Sequence, residues 1–236
     1  MKISVVIPCY NEEAVIASTY ERVRRVLDQL GGNHEILIAD DGSSDQSPAI
    51  LEQIARRDPH FVLIAYSPNR GMGYACRQMY QRASGDFVVE MDADLAMDPA
   101  DTIPLFAEHL HHHDCVVGSR YKGIEPDYPL RRRIASRGYY LINQVLFALP
   151  LKDTQSGFFG IRRDVLANLD LRSDGFELPV EMFAQLARRK HSILEVPVRF
   201  VHQTASGEVS VVRAAPKMFF NTLKIYGRLR RIPRGG

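Results

Sequence analysis

Short apolar runs rich in β-branched residues alternate, along the first half of the chain, with stretches whose apolar positions recur every three or four residues. Ile3–Pro8, Glu35–Asp40, Phe61–Tyr66, Phe87–Met91 and Cys115–Val117 are the short runs, and each reads as a buried strand. After the first, Val15, Thr19, Val23, Val26 and Leu30 keep helical spacing. Asn11 is placed to cap that helix, with Glu12 and Glu13 near the positive end of its dipole. Ser47-Pro48 opens a second helix, with Ile50, Leu51 and Ile54 on one face. The loop Asn69-Arg70-Gly71-Met72-Gly73 leads into a third helix ending near Ser84-Gly85, and Asp98-Pro99 starts another. Strands alternating with helices predict an α/β fold, a mostly parallel, doubly wound sheet with helices on both faces.

The second half is less regular. Arg131–Leu149 reads as a helix crowded with large apolar residues, Phe158–Arg162 and Ile193–Val201 as strands, and Val180–Lys190 as a helix between them. Ser210–Arg231 has the pattern of an amphipathic helix, interrupted or begun at Pro216.

In a doubly wound sheet, ligands bind beyond the carboxyl ends of the strands. Polar clusters fall there: Tyr10-Asn11-Glu12, Asp40-Asp41-Gly42-Ser43, Asp92-Ala93-Asp94 and Ser119-Arg120. Asp92 and Asp94, one residue apart, are candidate ligands of a hard divalent cation that prefers oxygen and shares substrate phosphates. Alone, such a pair serves equally to cap a following helix; three other polar strand ends facing the same crevice favour the metal. Asp40-Asp41-Gly42-Ser43 has two readings. Asp-Gly is a common turn signal, and one carboxylate could instead accept hydrogen bonds from a nucleotide base. The Asn69–Gly73 loop lacks the glycine and lysine spacing of a phosphate-cradling loop. A diphosphate would then need a metal and arginines.

Composition narrows the partners. The chain has 236 residues, 45% of them hydrophobic and 25% charged, which suits one sizeable domain or one domain with a short appendage. The expected division is 1–209 for the catalytic domain, including a helix over 131–149, and 210–236 for a basic helical tail. A net charge of +2 gives no bias towards nucleic acid. The charge is uneven, however: Arg213, Lys217, Lys224, Arg228, Arg230, Arg231 and Arg234 crowd the last 24 residues, which hold no acid. Basic residues interleaved with apolar ones suit an anionic surface, most simply lipid headgroups. Cys9, Cys76 and Cys115 are odd in number and lack metal-ligand spacing, as expected of inert thiols in a reducing compartment. No secretory signal is evident, and no run approaches the roughly 18 apolar residues of a membrane span. The expected location is cytoplasmic, soluble or peripheral on the cytoplasmic membrane face.

One family carries these motifs in this order. Ser4–Glu13 (SVVIPCYNEE), Asp40–Asp45 (DDGSSD), Asn69-Arg70-Gly71, Gly85-Asp86, Asp92-Ala93-Asp94 and Gly118–Tyr121 (GSRY) resemble glycosyltransferase family 2. Arg132 with Ser136, Asp153–Phe158 (DTQSGF) and Glu195–Val198 (EVPV) are similar to its branch of polyprenyl-phosphate (dolichol-phosphate) mannose and glucose synthases. The resemblance implies a GT-A fold and inverting transfer of a hexose from a UDP- or GDP-sugar, with Mg²⁺ or Mn²⁺. By the same resemblance Pro8, Tyr10, Asn11, Glu12, Asp40 and Asp41 would line the nucleotide site. Asp92 and Asp94 would bind the metal and diphosphate. Arg120, Arg132 and Ser136 would receive the acceptor phosphate, arginine being suited by its planar fork. A hydroxyl acceptor needs a general base; a polyprenyl phosphate is already anionic and needs mainly positioning. Glu177 and Glu181 lie where hydroxyl-directed relatives place a base, but they read here as a helix start and a solvated face. Relatives lay the helices at 131–149 and the C-terminus in the membrane interface.

Overall fold

The computed structural model describes residues 1–122, 130–199 and 211–230; side chains at 130–132, 135 and 211–215 lie outside that description. Seven strands form one sheet: β1 (Lys2–Cys9), β2 (Asn33–Asp40), β3 (Phe61–Ala65), β4 (Phe87–Glu90), β5 (Cys115–Ser119), β6 (Phe159–Arg162) and β7 (Ile193–Pro197). Their order is β3-β2-β1-β4-β6-β5-β7. All neighbours run parallel except β6, which is antiparallel to both β4 and β5. The direction of β6 was not foreseen, because a four-residue apolar run carries no mark of orientation.

Helices cover both faces, so the strands are apolar on both sides and read as continuous runs. On one face α1 (Ile16–Leu30), α2 (Ser47–Ala55) and α4 (Pro99–His109) bury Ile16, Val23, Leu51, Ile103 and Phe106. On the other, α3 (Met72–Arg82), the short α6 (Arg163–Ala167), α7 (Leu178–Arg188) and α8 (Val211–Leu229) bury Met79, Val165, Phe183, Ile225 and Leu229. Alternate residues of β1 serve the two cores: Val5 and Ile7 one, Val6 the other. The helix α5 (Leu130–Phe147) packs beside α8. Tyr139 and Thr222 share a hydrogen bond of 2.7 Å between them, and the rings of Phe147 and Tyr226 meet edge to face. The three cysteines are buried and unpaired, as expected, and burial pushes the Cys9 thiol up to about 12.

Of two helix starts read from the sequence, one holds and one changes. Asp98 does cap α4, its Oδ1 accepting from Ala100 N at 3.0 Å. Asn11 does not cap α1, which starts five residues later, after Val15, without a side-chain cap. Asn11 instead adopts a left-handed backbone (φ 55°), and its Oδ1 accepts from Ser44 N at 2.8 Å. Asn11 N donates to Ser43 Oγ, Glu12 N to Ser47 Oγ, Glu13 N to Asp45 Oδ2 and Gln46 N to Glu13 Oε2. What resembled a helix start is a loop laced to the loop after β2.

The glycine-bearing loop is a docking surface. Gly71 has φ 105°, and a Cβ there would collide with the Asp174 carbonyl oxygen; a Cβ on Gly73 would come within 2.6 Å of Ser173 O. The absence of side chains lets residues 173–175 press on the start of α3, where Tyr74 N donates to Asp174 O. Arg77 Nε adds a bond to Ser173 O at 3.2 Å. Gly71→Ala combines a disfavoured backbone with a clash, so a loss of roughly 2–4 kcal/mol is expected. Urea denaturation checks it: the midpoint should fall with an unchanged slope.

Candidate active site

The crevice follows from where two parallel strands part. Pairing of β1 with β4 ends at Val6 and Glu90, where Met91 N donates to Val6 O at 3.1 Å. Beyond it β1 continues along β2 to Cys9, while the chain after β4 turns away. Pro8 sits just past the parting, where its missing N–H breaks no ladder bond. The strand after β1 in sequence lies on one side of it and β4 on the other, which makes this gap the topological switch point.

Asp92 and Asp94 lie at that gap. Thr19 Oγ1, from α1, donates to Ala93 O at 2.6 Å and fixes the turn. Asp94 Oδ1 accepts from Ala96 N at 3.0 Å. Leu95 completes the turn in the left-handed region, a strained conformation for a branched residue (φ 50°). A Cβ on Gly157 would stand 3.1 Å from Asp92 Oδ1, so glycine there lets the loop before β6 lie against the carboxylate. Burial pushes the Asp92 carboxyl up to about 7; Asp94 and Glu12 push the same way, against the pull of Arg120. Glu12 is also raised, by burial, then by Asp94 and Asp45. Among the described residues, three carboxylates therefore gather with Arg120 as the one cation acting on Asp92, so negative charge predominates there.

Among the described residues no group of three or more His, Cys, Asp or Glu forms a ready-made metal cage. Two aspartates still fit a hard cation that keeps water and takes substrate phosphate oxygens, as Mg²⁺ and Mn²⁺ do.

Arg120 is placed differently from the expectation of a free phosphate fork. Its Nε and Nη2 each donate to an oxygen of Asp153 at 2.7 Å, and its backbone N donates to the same carboxylate. Asp153 is buried, and its backbone N donates to Glu195 Oε1 at 2.8 Å. Glu195 in turn pairs with Lys122 at 3.6 Å. The guanidinium lies 5.9 Å from the centre of the Tyr121 ring, and Tyr121 shares a 2.7 Å hydrogen bond with Ser136 of α5. The structure thus brings Arg120 and Ser136 to one place. Arg132 lies one helical turn before Ser136 in α5, with its side chain outside the described residues. Asp153, Glu195 and Tyr121 had no role in the sequence reading, although all three stand within the quoted motifs.

The nucleotide-side residues gather at the ends of β1 and β2. Tyr10 is half exposed beside the gap. Asp40 is buried, and its Oδ1 accepts from Ser43 N, so it closes a turn around Gly42 (φ 72°). Asp41 is buried too; its two oxygens accept from Arg70 N at 2.7 Å and Gly71 N at 2.8 Å. Asp41 therefore shapes the pocket wall by holding the loop before α3.

Glu177 and Glu181 correct the reading of a solvated face. Both are buried. Glu181 Oε2 accepts from Arg172 N and Ser173 N, and Arg228 of α8 pairs with its other oxygen. Glu177 Oε1 accepts from Asn221 Nδ2, also of α8. The outer side of α7 is not solvent but α8.

Residues 4–170 match the model of glycosyl transferase family 2. The chain belongs to glycosyl transferase family 2. Among curated relatives, it is 34% identical to a dolichol-phosphate mannosyltransferase of Pyrococcus furiosus over 85% of this chain and 56% of that one. The chain thus spans just over half the length of that relative. It is 31% identical to the dolichol-phosphate mannosyltransferase of Saccharomyces cerevisiae over 84% of this chain and 76% of that one. An undecaprenyl-phosphate mannosyltransferase of Micrococcus luteus is 29% identical over 86% and 85%. Glucosyl-3-phosphoglycerate synthase of Mycobacterium tuberculosis superposes with a TM-score of 0.76 at 18% identity, covering 96% of this chain and 80% of that one. This family 2 chain therefore has the GT-A fold.

Opposite charges around Asp92 give a two-sided test. Arg120→Met removes an attractive charge and should raise the Asp92 pKa above about 7, whereas Asp94→Asn removes a repulsive one and should lower it. NMR titration of ¹³C-labelled aspartate carboxyls reads both shifts.

Proposed function

We propose that this protein is an inverting glycosyltransferase that moves a hexose from a UDP- or GDP-sugar to a polyprenyl phosphate, supported by Mg²⁺ or Mn²⁺. The observation that carries the reading is the gathering of Asp92, Asp94 and Glu12 opposite Arg120 at the switch point of a GT-A sheet. The relatives named as polyprenyl-phosphate mannosyltransferases, aligned along most of the chain, support the acceptor.

The donor diphosphate would lie across the crevice, its nucleoside against Pro8, Tyr10, Asn11, Glu12, Asp40 and Asp41. A cation held by Asp92 and Asp94 would neutralise charge developing on the leaving diphosphate. An acceptor phosphate oxygen attacks the anomeric carbon from the side opposite the departing diphosphate. The new C–O bond forms as the old one breaks, and the anomeric configuration inverts. Arg120, oriented by Asp153, would draw the acceptor by its charge, with Arg132 and Ser136 completing the cradle. No general base is needed, because the nucleophile is already an anion. That suits the site. The acceptor oxygens of Glu181 are occupied by two backbone amides and Arg228.

A lipid acceptor requires a membrane surface. No described helix is long and apolar enough to cross a bilayer. The helices α5 and α8 supply an alternative, for each carries an exposed apolar stripe: Ile134, Leu141 and Val145 on one, Phe219, Phe220 and Leu223 on the other. Val145 is 85% exposed and Phe220 62%, values that suit burial in an interface better than in water. The reading places the protein peripherally on the cytoplasmic face.

Incubation with Mn²⁺, labelled UDP- and GDP-sugars and a polyprenyl phosphate should give label that partitions into organic solvent. A purely water-soluble product would overturn the lipid acceptor. Asp94→Ala should lower transfer by roughly a hundredfold or more while leaving the unfolding midpoint near wild type. Retained turnover at saturating metal would remove Asp94 from the site.

Val145→Ser with Phe220→Ser should weaken co-sedimentation with liposomes without unfolding the protein, since neither side chain is in the core. Truncating α8 would be a poorer probe: it takes Ile225 and Leu229 out of the core and strands the Glu181 charge.

A further inference from the structure

A cleft of about 640 Å³ lies between α8, residues 172–177 and the Asn69–Met72 loop. Asp92, Asp94 and Arg120 take no part in its lining. Five cations line it (Arg70, Arg172, Lys217, Lys224 and Arg228) against two acids, Asp174 and Glu177. Several of these charges are already matched. Arg228 pairs with Glu181, Arg172 with Asp170, Asp174 with Arg77, and Glu177 accepts from Asn221. Arg70 stacks on Tyr74 at 4.8 Å and donates to its hydroxyl, with no carboxylate partner among the described residues. Lys217 and Lys224 are exposed and also lack a carboxylate partner among those residues. The cleft therefore keeps an excess of positive charge in Arg70, Lys217 and Lys224, set against the one carboxylate of Glu177, whose Asn221 partner is neutral.

The setting of these three groups is amphiphilic. Lys217, Asn221, Lys224 and Arg228, spaced by three and four residues, form one stripe of α8. Met218 and Ile225 lie to one side of that stripe, buried, and line the cleft wall. Phe220 lies to the other side and is exposed, and Phe176 stands 40% exposed in the lining. A soluble anion would use the cations but leave these rings in water. An anion carried at the head of an apolar body uses both.

We propose that this cleft binds the phosphate headgroup of an anionic membrane phospholipid, at a site separate from the sugar-donor crevice. The proposal rests on the membrane reading above. Lys217 and Lys224 clamp the phosphate from α8, and Arg70 reaches it from the opposite wall. The Arg70 backbone is held by Asp41 at the edge of the nucleotide pocket, so the lipid site and the donor site share one loop.

The test is flotation of the full chain with vesicles of phosphatidylcholine alone or with phosphatidylglycerol added. The wild type should bind both and prefer the anionic vesicles. Lys217→Gln with Lys224→Gln should weaken binding to anionic vesicles roughly thirtyfold, from about 1 kcal/mol per lysine near such a surface, and leave binding to neutral vesicles unchanged. Arg70→Gln, which lies off α8, should share the selective loss. Arg25→Gln with Arg56→Gln, an equal charge change on exposed positions of α1 and the end of α2, should keep the preference. If the α1/α2 pair loses as much as the lysine pair, or Arg70→Gln loses nothing, the attraction is diffuse and the headgroup site is overturned while membrane attachment stands. If the wild type floats with neither vesicle, the membrane reading itself falls.

Discussion

Gathering like charges in a half-buried crevice is the constraint around which this molecule is arranged. Burial, with the neighbouring charges of Asp94 and Glu12, raises the affinity of Asp92 for a proton against the pull of Arg120, and burial with Asp94 and Asp45 raises that of Glu12. Such a cluster relaxes by taking up protons, by opening to water or by binding a cation. The surrounding contacts hold it closed against the second route. Thr19 pins the turn from α1, Gly157 lets the neighbouring loop approach, and Asp153 fixes Arg120. Asp153 is held in turn by Glu195 from β7. A helix, a strand and the loop before β6 thus contribute to keeping one patch of negative charge in place, which is the preorganisation that charge stabilisation in a transfer reaction requires.

Much of this was legible because the pattern was local. Each parallel strand buries both faces, so it appears as an unbroken apolar run, and a polar residue ends it where the sheet ends. Asp92 after Phe87–Met91 and Ser119-Arg120 after Cys115–Val117 could be placed at strand ends from that rule alone. The pairwise partners could not. Asn11 followed by Glu12 and Glu13 has the composition of a helix start, yet its hydrogen bonds go to Ser43, Ser44, Ser47 and Asp45, more than thirty residues away. Gly71 and Gly73 looked like a failed phosphate loop because their true neighbour, Ser173-Asp174, is a hundred residues distant. Composition reports what a segment can do alone. It is silent on which remote backbone fills the space a glycine leaves.

Glu177 and Glu181 show the same limit and bear directly on the chemistry. A helix carrying two acids near its start is expected to turn them to water. In α7 every residue from Leu178 to Leu186 is buried, because α8 closes its outer side and brings Arg228 and Asn221 to the two acids. A carboxylate that already accepts two backbone amides on one oxygen and is ion-paired with a guanidinium on the other is poorly suited to taking a proton from a hydroxyl: protonation would leave Arg228 facing a neutral partner. An acceptor that arrives as an anion makes no such demand. The pairing that corrects the sequence reading of Glu181 therefore favours the phosphate acceptor over the hydroxyl one, and it comes from α8, the helix whose opposite face carries the exposed Phe219, Phe220 and Leu223.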